Sequence, residues 1–100
     1  MKSLLLNAIK PIKVKIQTLG HDVYIRELSY KGTIEVASCK NPIDRAVFTM
    51  IYGLCDEAGK LQFTVEDFDQ IAETLSYAAI QEIAYEVSKI TQVQPAKLVK

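Results

Sequence analysis

Leu54-Cys55-Asp56-Glu57-Ala58-Gly59-Lys60-Leu61-Gln62-Phe63-Thr64-Val65-Glu66-Asp67-Phe68 reads as a helix end, a turn and a new helix start. Gly59 supplies the unusual backbone dihedral that a tight reversal needs, and the acidic pair before it favours a turn over continued helix. Thr64 sits where an N-cap is expected, and Asp67 is placed to reach back to the Thr64 amide as the acidic member of a capping box. Phe63 and Phe68 fall at the N′ and N4 positions of a hydrophobic staple. Three independent signals therefore agree on one helix start, with a second helix ending just before the turn.

Upstream, Asn41-Pro42 is a cap followed by proline at the first helical position. From there Ile43, Ala46, Val47, Met50, Ile51 and Leu54 share one helical stripe, and Phe48, Tyr52 and Cys55 widen it. Only a narrow polar strip remains at Arg45, Thr49 and Gly53. A helix so apolar, running from Pro42 to Cys55, is either the centre of a domain or partly covered by another protein. Downstream, Val65, Phe68, Ile71, Ala72 and Leu75 form an amphipathic stripe. Ser76 then caps or kinks before a last helix with Ile80, Ile83, Ala84, Val87 and Ile90 on one face and Gln81, Glu82, Glu86 and Lys89 in water. These two are expected to be antiparallel neighbours.

Toward the N-terminus, Ile12, Val14 and Ile16 alternate with Lys13, Lys15 and Gln17, the period of a strand with one dry face. Gly20-His21-Asp22 reads as a turn and Val23 to Leu28 as the returning strand of a hairpin. A lone hairpin is marginal in water, so helices or strands of another copy must cover it. Ser29 can cap a short helix through Ser38, although Thr33, Ile34 and Val36 equally suit an extended segment. The expected fold is α+β, an N-terminal β-hairpin followed by a bundle of three to four α-helices. It occupies one domain over residues 11–91, between a flexible arm (1–10) and a flexible tail (92–100).

The 100 residues are 49% hydrophobic and 24% charged, ordinary globular usage in a chain long enough for one modest core. Twelve basic residues balance twelve acidic ones, leaving no electrostatic footprint for nucleic acid or an anionic membrane surface. Cys39 and Cys55 have no metal-ligand or redox-motif spacing and read as free thiols of a reducing compartment. Asn7 and Lys10 interrupt the early leucine run too soon for a signal sequence or a membrane span. His21, the one histidine, has no partner suggesting general base catalysis. A calcium loop starting at Asp56 would place Ala58 and Lys60 at ligand positions, where neither offers a side-chain oxygen. No catalytic residue, cofactor site or metal site is expected.

The strand Val23-Tyr24-Ile25-Arg26-Glu27-Leu28, the turn Asp56-Glu57-Ala58-Gly59 with Phe63-Thr64-Val65-Glu66-Asp67, and the alanine-containing closing helix occur in an order that resembles the tail assembly chaperones of long-tailed bacteriophages, over roughly residues 12–90. The resemblance implies a non-catalytic protein of the host cytoplasm. It would bind the tape measure protein, help recruit tail tube subunits and self-associate weakly, and it would be absent from the finished virion. Arg26, Phe48, Tyr52, Tyr77 and Tyr85 are the candidate partner-binding residues, since arginine and aromatic side chains concentrate binding energy at interfaces. The alternatives are a structural tail or head-tail connector component, or a small interaction domain unrelated to phage. Frameshifted longer products, common in that family, are invisible in a protein sequence.

Overall fold

A computed structural model describes residues 9–91, so most of the expected arm and the whole tail lie outside the described residues. Strands β1 (Ile12–Ile16) and β2 (His21–Ile25) form the hairpin, antiparallel, with Ile16 opposite His21. Its loop ends at Gly20, whose φ of 75° is the left-handed conformation that closes it. His21 therefore opens β2 instead of sitting in the turn. Along β1 the alternation holds where it matters: Ile16 is fully enclosed while Lys13 and Lys15 face water.

Four α-helices follow among the described residues: α1 (Tyr30–Ser38), α2 (Pro42–Gly53), α3 (Phe68–Thr74) and α4 (Tyr77–Thr91). Each of three starts is fixed by a side chain accepting from an otherwise unpaired amide. Ser29 Oγ accepts from the Gly32 N–H at 3.1 Å, which decides the Ser29–Ser38 ambiguity for helix. Asn41 Oδ1 accepts from Ile43 at 2.9 Å, and Ser76 Oγ accepts from Ala79 at 3.1 Å. A 3-10 turn, Val65–Asp67, leads into α3, and the expected capping box is present, with the Thr64 N–H donating to Asp67 Oδ2 at 2.8 Å.

Helix α2 stops earlier than its apolar pattern predicts. Leu54 and Cys55 leave the helix and form a short strand, β3, on the free edge of β2, pairing Ile25 with Leu54 and Tyr24 with Cys55 in a sheet of order β1-β2-β3. The Arg26 N–H extends this ladder by donating to the Gly53 carbonyl at 2.8 Å. The edge of β2 carries donors and acceptors that need partners, and two residues of β3 supply them. Apolar residues at these two positions satisfy a helix stripe and a buried strand alike.

The core gathers Ile16 and Ile25 from the sheet, Met50 and Ile51 from α2, Ile71 from α3, and Ile83 and Val87 from α4. Helices α3 and α4 are not close neighbours of each other; both pack against α2. Of the strip read as polar on α2, Arg45 is exposed, whereas Thr49 and Gly53 are buried. Thr49 is only 4% exposed, its hydroxyl donating to the Arg45 carbonyl at 2.9 Å, and Gly53 lies against Val87. In the stretch around α3, only Ile71 is buried, with Phe68 and Leu75 packed on the core margin; Val65 and Ala72 are exposed.

Two polar ties join α4 to the sheet. Glu82, expected to be merely solvated, accepts from the Gln17 N–H at 2.7 Å, the Thr18 N–H at 3.0 Å and the Thr18 hydroxyl at 2.7 Å, so it holds the hairpin loop. These donors keep its carboxyl below the usual glutamate range. Near the other end of α4, Thr91 Oγ1 accepts from the Leu28 N–H at 3.1 Å.

Candidate functional site

The reversal after β3 is the most heavily hydrogen-bonded loop of the molecule. Asp56 Oδ1 accepts from the Ala58 and Lys60 N–H groups, both at 2.9 Å, while the Asp56 carbonyl accepts from Gly59 at 2.9 Å. Gly59 has φ 88°, the conformation for which glycine is chosen. These amides hold the Asp56 carboxyl below the ordinary aspartate range, the Lys60 amide contributing most. One Asp56 oxygen is thus committed to the turn's own backbone.

Arg26 reaches across from β2 and donates through Nη1 to the Gly59 carbonyl at 3.1 Å, pinning the turn to the sheet. Beside it, burial pushes the Cys55 thiol above its usual value; Arg26 opposes the shift and Asp56 adds to it. A thiol so placed is the inert kind, since reactive cysteines have depressed pKa values and access to solvent. On the far side of the turn, a Cβ at Gly59 would stand 3.6 Å from Pro11 Cδ, so the chain enters β1 directly over this reversal.

Beyond the turn, residues 61–65 run past α1 and the C-terminal half of α2 and leave a groove of about 250 Å³ between them. Its walls are Lys31 of α1, Ile51 and Tyr52 of α2, and Leu61, Phe63, Thr64 and Val65. Sites for drug-sized ligands run to roughly 300–1,000 Å³. This depression suits one or two apolar side chains better than a cofactor. A second notch of about 250 Å³ lies between α2 and α4, lined by Pro42, Arg45, Ala46, Thr49, Gln81, Ala84, Tyr85 and Ser88.

The five candidate partner-binding residues do not converge. Tyr52 lines the groove and Tyr85 lines the notch. Tyr77, at the start of α4, is 65% exposed. Phe48 packs its ring on Phe68, centroids 5.3 Å apart, and so helps dock α3 on α2. Arg26 has the turn as its partner. The other groove walls, Leu61, Phe63 and Val65, were accounted for in the sequence by the turn and the helix cap. Their alternation at positions 61, 63 and 65 was the available signal.

Among the described residues no three His, Cys, Asp or Glu side chains gather as a metal site, and no helix is long and apolar enough to cross a membrane. What this fold and these surfaces define is a small α+β domain with two surface depressions, one bordered by the half-buried Tyr52 and the other by the exposed Tyr85. A family model described as "Phage tail assembly chaperone, TAC" matches residues 3–88, and the chain belongs to that family. Among solved structures, the bacteriophage HK97 tail assembly chaperone is similar in fold: TM-score 0.67 at 17% identity, covering 87% of this chain and 95% of that one. No curated protein matches by sequence. Membership in a family of assembly chaperones implies protein partners.

Proposed function

We propose that this phage tail assembly chaperone binds the tape measure protein, helps recruit tail tube subunits to it, and acts without catalysis in the host cytoplasm through weak self-association of many copies along one partner. The observation that carries the reading is the family match over residues 3–88, which spans the sheet and all the helix-packing seams. A long helical partner needs repeated, individually weak contacts, because avidity along one chain multiplies modest affinities.

The apolar stripe of α4 and most of the apolar arc of α2 are spent on the core, so they are not the docking surface. The groove beside Tyr52 is the better seat, supported by its apolar walls and its opening to solvent. An amphipathic helix laid across it would insert one side chain between Tyr52 and Phe63, in the manner of helix-in-groove recognition. Tyr77 and Tyr85 would extend contact along α4, with Arg26 and Phe48 supporting the surface from within.

The test is co-expression with the tape measure protein of the same genome, followed by size-exclusion chromatography with light scattering on each protein alone and on both together. Soluble tape measure protein eluting with several copies of this chain is the expected result. An insoluble tape measure protein, with this chain forming rings or tubes by itself, would replace the chaperone reading with that of a structural tail subunit.

A further inference from the structure

We infer that the outward face of α1 is a surface on which two copies of this chain pair, their α1 helices antiparallel about a two-fold axis. Seven of the nine residues of α1 are exposed; Gly32, against Tyr52, is buried and Val36 is half-buried. At about 100° per residue, Tyr30, Ile34 and Ala37 fall within an arc of roughly 60° on the side away from those two. Tyr30 is 85% exposed and Ile34 46%. The result is an outward apolar stripe at i, i+4 and i+7, the spacing by which one helix seats against another.

The stripe is complementary to itself. An antiparallel pair about a two-fold axis brings together residues equidistant from one centre. Three features share a centre between Thr33 and Ile34 to within about half a residue, or ~0.75 Å along the helix. Tyr30, the largest side chain of the stripe, meets Ala37, the smallest, so that bulk faces a gap at both ends. Ile34 packs on Ile34 of the second copy at the axis. Lys31 is brought toward Glu35 of the second copy, and Glu35 toward its Lys31. Among the described residues the ion pairs are Lys13–Asp22 and Lys89–Glu86, so neither of these charges is engaged there. A parallel pair would set Tyr30 on Tyr30 and Lys31 beside Lys31. Charge and size therefore select the antiparallel arrangement, an isologous contact that closes at two copies.

Helix α1 is only about 13.5 Å long. That is far short of what the ~800 Å² per partner of a stable interface requires, so the pairing is weak and populated at millimolar chain concentrations. Such a contact gains effect where copies already stand side by side on one partner. As the surface for the weak self-association proposed above it rests on that reading, whereas the pairing in solution does not.

The test is a concentration series of the full chain up to millimolar levels, followed by backbone resonances and sedimentation equilibrium. Shifts centred on Tyr30–Ser38 and a mass rising toward two copies are expected. Ile34→Lys should abolish both with unchanged helix content by circular dichroism, since Ile34 is outside the core. Lys31→Glu and Glu35→Lys should each weaken pairing by roughly two- to thirty-fold, because two symmetry-related exposed ion pairs are lost. Mixing the K31E and E35K chains should restore it, as an acidic helix then faces a basic one. A wild-type chain that stays monomeric throughout overturns the inference, as does a mixture that pairs no better than either variant alone. Self-contact with shifts centred outside α1 also overturns it. If the wild-type chain is monomeric and I34K fails to co-elute with the tape measure protein, the stripe belongs to that partner and the self-pairing is wrong. Pairing by the wild-type chain without any binding of the tape measure protein would uphold the inference and sink the chaperone reading.

Discussion

Two flanks of α2 are built on opposite principles. Toward α4 the helix presents small residues, Ala46, Thr49 and Gly53, and the neighbouring helix comes so close that a Cβ on Gly53 would stand 2.5 Å from Val87 Cγ2. Toward α1 and residues 61–65 it presents Ile51 and Tyr52, large side chains that hold their neighbours apart and leave the groove. At Gly53 the first flank has no room, and that close approach sets the architecture, although farther along α2 it opens into the notch beside Ala46 and Thr49. The second has its open volume beside Tyr52 itself. Gly32 is the hinge of the contrast: its added Cβ would lie 3.0 Å from Tyr52 Cβ, tight but against a residue that borders open space.

The most damaging test of this contrast is Gly53→Ala. Helix propensity alone favours alanine by roughly 0.5–1 kcal/mol. Overpacking of a full core costs about 1–3 kcal/mol, and here the obstructing atoms are the branched methyls of a fully buried valine. We expect overpacking to win and the melting temperature to fall, by roughly 4–8 °C per kcal/mol for a domain of this size. On a Val87→Ala background the same substitution should cost at least about 0.5 kcal/mol less, since the two positions touch. A stabilised G53A protein would mean that the seam has slack and the contrast is false.

What could be read in advance follows from the range of the interactions involved. The reversal at Gly59 and the Thr64–Asp67 capping box were legible because all their partners lie within a few residues. The seam along Thr49 and Gly53 was read as part of a narrow polar strip, because small and polar residues have no hydrophobic signature and their burial depends on what arrives from α4. Strand β3 was hidden for a similar reason: two apolar residues fit a helix end until the edge of β2 is known to be vacant. Of the aromatic residues singled out as partner-binding candidates, Tyr52 and Tyr85 border the two depressions. Leu61 and Val65 were missed because the groove they line exists only once α1 is in place.

Thr64→Ala probes the start of the adaptable flank, since Thr64 is both N-cap and groove wall. Loss of the cap should cost about 1 kcal/mol, within a range of roughly 0.5–2. Urea denaturation reads this directly. Chemical-shift changes should remain confined to residues 61–71, without reaching the α2–α4 seam. A substitution whose effects spread to Ala84 and Val87 would show the two flanks to be one cooperative layer.

Glu82→Gln tests the tie that fixes the hairpin loop to the rigid flank. The folded-state carboxyl titrates below the ordinary glutamate value because the Thr18 amide and hydroxyl and the Gln17 amide bind its charged form. An acid depressed in this way contributes stability that is complete above the unfolded value and is lost as pH falls through the folded one. The wild-type chain should therefore lose stability on acidification below the ordinary glutamate range, and E82Q should be less stable near neutrality with a shallower acid slope. Asp56 is depressed by the Lys60 and Ala58 amides and titrates in the same direction, so part of the slope should persist in E82Q and disappear only when Asp56→Asn is added. Superimposable acid slopes for wild type and E82Q would show that the loop is held by packing instead.

Gly32→Ala carries the smallest expected effect and is the sharpest test of the adaptable flank. The new methyl approaches Tyr52 Cβ at 3.0 Å and Cγ at 3.1 Å, so Tyr52 must yield by a few tenths of an ångström. Because the contact is at Tyr52 Cβ, which side-chain rotation does not move, relief requires α1 and α2 to shift apart by a few tenths of an ångström beside the open groove. The roughly 0.5–1 kcal/mol that alanine gains over glycine inside a helix then offsets most of the crowding. Net stability should change by less than about 0.5 kcal/mol, because the helix-propensity gain and the crowding nearly cancel. The ring resonances of Tyr52 should shift all the same. A loss as large as that of G53A would mean that Tyr52 is as firmly wedged as Val87. The groove would then be a cleft as rigid as the seam at Gly53, and the contrast between the flanks would fail.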